Sequence, residues 1–204
     1  MKILKAIFFL LVFQQGFGQN FDFRALRKIN LNRMASYDPQ MQFLTNTSDF
    51  VAMGTPLTLL AVGYLKKDAS IKKEGYNAAV ATFGTYGVAY ILKKAVNRPR
   101  PYVTYPVIQN YEVVTDGSFP SGSTALAFSA ATSLSLSYPK WYVIAPSAIY
   151  ASGIAYSRLH LGAHYPSDVL AGAVIGAGSA YLSRQLNRLL VNEYRKRKVN
   201  TTTF

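Results

Sequence analysis

The residues able to do chemistry fall into two clusters separated by apolar sequence. The first holds Lys93, Lys94, Arg98 and Arg100 and runs on to Ser118-Phe119-Pro120-Ser121-Gly122-Ser123. The second is Ser157-Arg158, His160, His164 and Asp168. Such a set suits a phosphate group. An arginine fork gives a phosphate two parallel hydrogen bonds, and a lysine adds a point charge. Pro120-Ser121-Gly122 leads into a helical run, whose free N–H groups and dipole favour an anion. Gly122 would let the backbone come close, and Ser121 could donate its hydroxyl hydrogen. His164 and Asp168 are four residues apart and share a face if helical. A carboxylate on one imidazole nitrogen fixes the tautomer and leaves the other free to attack.

Taken singly, each feature has an ordinary explanation. Basic residues at helix ends are commonly solvated, Ser-Gly before a helix is commonly a cap, and an i, i+4 His–Asp pair is commonly structural. Their order and spacing are more specific. Lys93, six residues and Arg100-Pro101 resemble the first signature of the type 2 phosphatidic acid phosphatase superfamily. Pro120-Ser121-Gly122 resembles the second. Ser157-Arg158, five residues, His164, three residues and Asp168 resemble the third. That superfamily includes lipid phosphate phosphatases, polyprenyl pyrophosphatases, bacterial acid phosphatases and vanadium haloperoxidases. The resemblance implies that Lys93, Arg100, Arg158, Ser121 and the Gly122 N–H bind phosphoryl oxygens. It implies a phosphohistidine on His164, oriented by Asp168, and no metal or other cofactor, the cations stabilising the charge.

One position departs. The family's second signature normally ends in a histidine that acts as general acid, and here it is Ser123. Serine has no pKa near neutrality, and general acid catalysis contributes about 10²–10⁴ in rate. Three explanations stand open: a substrate with a good leaving group, such as a pyrophosphate; a proton from His160, water or Ser123 as a relay; or phosphate binding retained without catalysis. His160 and His164 also spell H-x-x-x-H, but the glutamate of H-E-x-x-H is missing and Arg158 would repel a cation. No metal site is expected.

Around these clusters the chain alternates apolar runs with short polar joints: about 50–65, 76–92, 121–137, 141–157 and 167–190. The runs are long enough for helices and lack strand alternation. They are rich in small residues, with Gly172 and Gly176 forming G-x-x-x-G and Gly84 and Gly87 a smaller notch, as in helices that associate within a bilayer. Lys2 and Lys5 before an apolar stretch, with Gly16-Phe17-Gly18 after it, read as a secretory signal. Residues 20–48 hold room for a short amphipathic helix near 23–31, lying on a membrane or packing on the body.

With five helices threaded from an exported N-terminus, Lys66, Lys67, Lys72, Lys73, Lys140, Arg184, Arg188 and the basic 195–198 tail share the cytoplasmic side. This satisfies the positive-inside rule. Both chemical clusters then lie outside. The formal charge is +13 and the mean hydropathy +0.10, and there is no cysteine, which excludes thiolate metal sites and cysteine catalysis. The cations divide between the signatures and the helix ends, with no nucleic-acid motif.

The expectation is an all-α membrane bundle of about five transmembrane helices: signal peptide 1–18, extracytoplasmic segment 19–48, phosphatase bundle 49–192 and basic tail 193–204. It would sit in a bacterial-type inner membrane with its site facing the exterior, and its partners would be the membrane and a phosphorylated lipid. The activity would be hydrolysis of a polyprenyl pyrophosphate or lipid phosphomonoester. The alternatives are a catalytically impaired phosphate-lipid binding protein and a soluble periplasmic acid phosphatase.

Overall fold

A computed structural model describes residues 18–201. Apart from Gly18, the stretch read as a signal peptide lies outside the described residues. Among those residues the chain is all helical, without strands. The elements are α1 (Gly18–Leu31), a single 3-10 turn (Ala35–Tyr37), α2 (Asp38–Leu65), α3 (Ala69–Val96), the short α4 (Pro101–Thr104), α5 (Gly122–Ser137), α6 (Trp141–His160) and α7 (Pro166–Thr201). The five apolar runs are α2, α3, α5, α6 and α7. α2 begins well before its apolar run, because Asp38-Pro39 supplies an acidic first turn and an early proline, both suited to a helix start.

The interior reverses that of a water-soluble protein. Its buried positions are mostly small: Ala52, Ala78, Ala81, Ala125, Ala127, Ala130, Thr82, Thr85 and Ser129. The large apolar side chains point outward, among them Phe50, Leu57, Phe83, Ile91, Ile149 and Val174. Small residues let the backbones meet. α5 lies at the centre, touching α2, α3, α6 and α7. α7 approaches it through the G-x-x-x-G pair: a Cβ on Gly172 would stand 2.6 Å from the Ser121 carbonyl, and one on Gly176 2.0 Å from that of Ala125. Gly84 and Gly87 differ from expectation. A Cβ on either would meet open space, so they form no notch for a neighbouring helix.

α1 packs on the body. Leu26 is fully buried with Ile108 and Tyr165, and Phe23 stacks on Tyr105 at 4.0 Å. By length and composition, the described residues contain one helix apolar enough to cross a membrane, over Ala35–Leu65. The hydropathy of the others is diluted by serine, threonine and glycine, or by charged ends such as Lys72, Lys73, Lys93 and Lys94 on α3.

Candidate active site

Three segments meet at one end of the bundle: the α3–α5 connection, the N-terminus of α5, and the turn between α6 and α7. Backbone hydrogen bonds hold them together. Ser118 N–H donates to the Arg98 carbonyl at 2.8 Å, and Ser121 N–H donates to the Asp168 carbonyl at 3.0 Å. The α6–α7 turn bends at Gly162, whose φ of +68° is costly for other residues. A side chain there would also meet the Gln109 carbonyl at 2.5 Å. α7 then opens with Pro166 at its first position. Asp168 reaches back to accept the Tyr165 N–H at 2.9 Å, half of a capping box.

His164 is buried in this turn. Its Nδ1 lies 2.7 Å from the Ser118 carbonyl, and its Nε2 lies 3.5 Å from Arg100 Nη1. A carbonyl can only accept and a guanidinium can only donate, which assigns the proton to Nδ1 and the lone pair to Nε2. Burial pushes the imidazole pKa down to about 4, Asp168 opposes, and Arg158 and Arg100 push the same way as burial. The ring is neutral at ordinary pH, with the Nε2 lone pair available. Asp168 Oδ2 stands 3.7 Å from Nδ1, so the direct hydrogen-bond partner is the Ser118 carbonyl and the carboxylate acts at slightly longer range.

Arg100 is buried, donating from Nη1 to the Ala163 carbonyl and from Nε to the Asp116 carbonyl, both at 3.0 Å. Its other arm meets the Asp116 carboxylate, and Lys93 reaches the second oxygen of that carboxylate at 2.8 Å. Burial works against the charge on Asp116, but Lys93 and Arg100 outweigh it and hold the carboxyl below its usual range. Arg158 is also buried, and its Nε has no hydrogen-bond partner in the protein. A buried guanidinium nitrogen left unpaired is costly unless a ligand satisfies it. Lys93, Arg100 and Arg158 are set against two carboxylates, Asp116 and, acting on Arg158, Glu112, so positive charge remains in excess for an anion.

The remaining predicted residues are divided. A Cβ on Gly122 would meet no protein atom, so packing does not require glycine there and the backbone stays open to approach. The Ser121 hydroxyl pairs with Thr124 at 2.8 Å, within the first turn of α5. Ser123 is half-buried in the same turn. His160 is bound elsewhere: its Nε2 lies 2.9 Å from Asp38, to which Arg33 donates from Nε and Nη2.

Asp116, the partner of Lys93 and Arg100, had no assigned role in the sequence reading, and neither did two further residues. Arg98, noted only as one of a basic cluster, donates to Asp168 Oδ1 at 2.8 Å and to Asp22 at 3.0 Å. Asp22, on α1, also accepts the Ser167 N–H at 3.0 Å. A clue was scarcity: the chain has only 9 acidic residues against 22 basic ones, so any acidic residue in a polar segment is a candidate anchor.

Comparison with known proteins gives a consistent picture. The sequence model of the PAP2 superfamily matches residues 75–190. The undecaprenyl-diphosphatase of Sulfolobus acidocaldarius is 28% identical over 85% of this chain and 81% of its own length. The lipid A 1-phosphatase of Porphyromonas gingivalis is 31% identical over 65% of this chain and 28% of its own length. The crystal structure of Aquifex aeolicus LpxE superposes with a TM-score of 0.68 at 28% identity, covering 79% of this chain and 93% of that one.

Proposed function

Because the chain belongs to the PAP2 superfamily, we propose that it is a membrane phosphatase that removes a phosphoryl group from a phosphorylated lipid through a phosphohistidine on His164. One observation carries this reading: the Nε2 lone pair of a buried, neutral His164 is aimed at the guanidinium of Arg100, 3.5 Å away. A phosphoryl group held by Arg100, Lys93 and Arg158 would present its phosphorus to that lone pair.

Nε2 attacks phosphorus, and the bond from phosphorus to the leaving oxygen breaks, its electron pair going to that oxygen. The Nδ1 proton stays on the ring, donated to the Ser118 carbonyl. Water then attacks the phosphohistidine, releases phosphate and restores the imidazole. The Gly122 backbone N–H and the Ser121 hydroxyl add donors at the positive end of α5. Arg100, Lys93 and Arg158 stabilise charge gathering on the equatorial oxygens.

Ser123 bears on substrate choice. Without a histidine acid, the leaving oxygen departs unprotonated or takes its proton from water. A lipid pyrophosphate expels a phosphate oxygen, which is far less basic than the alkoxide expelled by a monoester, so pyrophosphates are favoured. His160, committed to Asp38, is a poor source of that proton.

The bilayer reading rests on the outward apolar faces of four of the five long helices, α2, α3, α6 and α7, around the enclosed α5. Trp141 and Tyr142 stand exposed where α6 begins, beside Lys140, as aromatic belts do at an interface. The lysines at 66, 67, 72 and 73 and Arg184 and Arg188 lie at the end assigned to the cytoplasm, and the site opens outward. α5 has 16 residues, about 24 Å at 1.5 Å per residue, short of a hydrocarbon core of about 30 Å. Its N-terminus would therefore lie slightly below the membrane surface, where a lipid headgroup can reach it.

The test is phosphate release by purified protein from a panel of lipid pyrophosphates and monoesters. Wild type should turn over pyrophosphates faster, and His164→Ala should be inactive on both. Equal, near-zero rates for the two proteins on every substrate would end the reading. Ser123→His should raise monoester hydrolysis more than pyrophosphate hydrolysis, and an equal effect would remove the leaving-group argument.

A further inference from the structure

The Nδ1 side of His164 contains a charge relay that reaches out of the matched family region. Both oxygens of Asp168, a fully buried residue, are engaged. Oδ2 accepts the Tyr165 N–H and faces His164, and Oδ1 accepts from Arg98 Nη1 at 2.8 Å. Arg98 lies over the Tyr165 ring, 3.8 Å from its centroid, and the same Nη1 also reaches the Ser167 hydroxyl at 2.8 Å. Its other arm donates to Asp22 at 3.0 Å. Asp22 is itself buried and accepts from both the backbone N–H and the hydroxyl of Ser167, in the first turn of α7. It lies on α1, before residue 75, where the family match begins. Leu26, one turn further along α1, is buried against Ile108 and Tyr165 and seats the helix.

We infer that Asp22 and Arg98 are positioning residues for the His164–Asp168 pair, so that helix α1 is a working part of the active site; this rests on the phosphohistidine reading above. When Nε2 bonds to phosphorus while Nδ1 keeps its proton, the ring becomes a cation. The Asp168 carboxylate stabilises that cation only if it is held in place and still negative in effect. Arg98 holds it in place, but alone it would cancel its charge. Asp22 supplies the second negative charge: two carboxylates against one guanidinium leave one net negative charge beside the imidazole. Asp22 also anchors the first turn of α7, which carries Asp168, at the helix end where an anion is favoured.

The experiment separates chemistry from binding in purified protein. Asp22→Asn keeps the shape and removes the charge. It should lower kcat on the order of 10-fold with KM within about twofold, the pattern of an interaction made only in the transition state. In single turnover the phosphoenzyme should form more slowly, while the affinity for inorganic phosphate stays unchanged. Arg98→Ala should cost more, Arg98→Lys less, and Asp22→Asn added to Arg98→Ala should cost less than it does alone, since only the hold of Asp22 on Ser167 then remains to be lost. Wild-type kcat in Asp22→Asn, additive losses in the double variant, or a loss matched by weaker phosphate binding would each overturn the inference. If Asp22→Asn folds poorly, the Arg98→Lys variant decides by the same split between kcat and KM. His164→Ala in the same assay keeps the two levels apart. A wild type no faster than His164→Ala defeats the underlying reading; an active wild type with a normal Asp22→Asn defeats only this inference.

Discussion

On the Nε2 side of His164, Lys93, Arg100 and Arg158 outnumber two carboxylates, Asp116 and Glu112; on the Nδ1 side, Arg98 is outnumbered by Asp22 and Asp168. The first side is under-satisfied. Arg158 Nε has no partner, and the Asp116 carboxylate occupies the contacts a phosphate would take. The second side is closed: Asp168 and Asp22 each accept from backbone N–H groups as well as from Arg98. A surface that must bind and release an anion leaves positive charge unspent. A support that must not move during the reaction spends all of its polar groups. The contrast teaches that the two halves should fail differently when damaged, the front in both binding and rate, the back in rate alone.

The front gives the largest effect. Arg158→Ala should lower kcat/KM by about 10²–10³, the scale of losing one preorganised donor to a developing charge. Arg158→Lys should not restore it, since a point charge lacks the fork. Steady-state kinetics checks this, and full recovery with lysine would reduce the guanidinium to mere charge. Asp116→Asn should act in the opposite direction. Removing the resident carboxylate should tighten binding of inorganic phosphate by about threefold to tenfold, as expected for one screened unit charge at close range. Product-inhibition measurements read this directly. Unchanged inhibition would mean that Asp116 and phosphate do not compete for Lys93 and Arg100.

The smallest effect is in pH. With its pKa held near 4, His164 is neutral above that value and loses its Nε2 lone pair only below it. After allowance for substrate ionisation, kcat/KM should therefore change less than about twofold between pH 5.5 and 7. The acid limb should lie near 4 rather than at the ordinary histidine value. A limb near 6.5 would show that the ring is more solvated than its burial implies.

Much of this was legible in the sequence because it is local. Long, largely apolar stretches without strand alternation marked the five long helices, and the G-x-x-x-G of α7 marked its close approach to α5. Signature spacing brought Lys93, Arg100, Arg158, His164 and Asp168 to one end of the bundle. The early start of α2 was hidden because its first turns are polar and recognisable only by their cap. Gly84 and Gly87 misled because spacing alone cannot say which face of a helix meets a neighbour. The Asp22–Arg98 contact spans 76 residues and obeys no period. Nor could periodicity tell that the direct partner of His164 Nδ1 is a backbone carbonyl, which every residue possesses.

The hydrogen bond from Ser121 N–H to the Asp168 carbonyl has one further consequence. It stitches the turn that, in the proposed mechanism, would seat the phosphate to the turn that would carry the attacking nitrogen, main chain to main chain. The gap between attacker and target is thereby set like the jaws of a vice, by the frame rather than by the faces. Helices in a bilayer tilt and slide as the lipid around them thickens or thins, and two jaws on separate helices would drift apart. Joined at the backbone they would travel together, and under the proposed mechanism the reaction distance would be insulated from the state of the membrane.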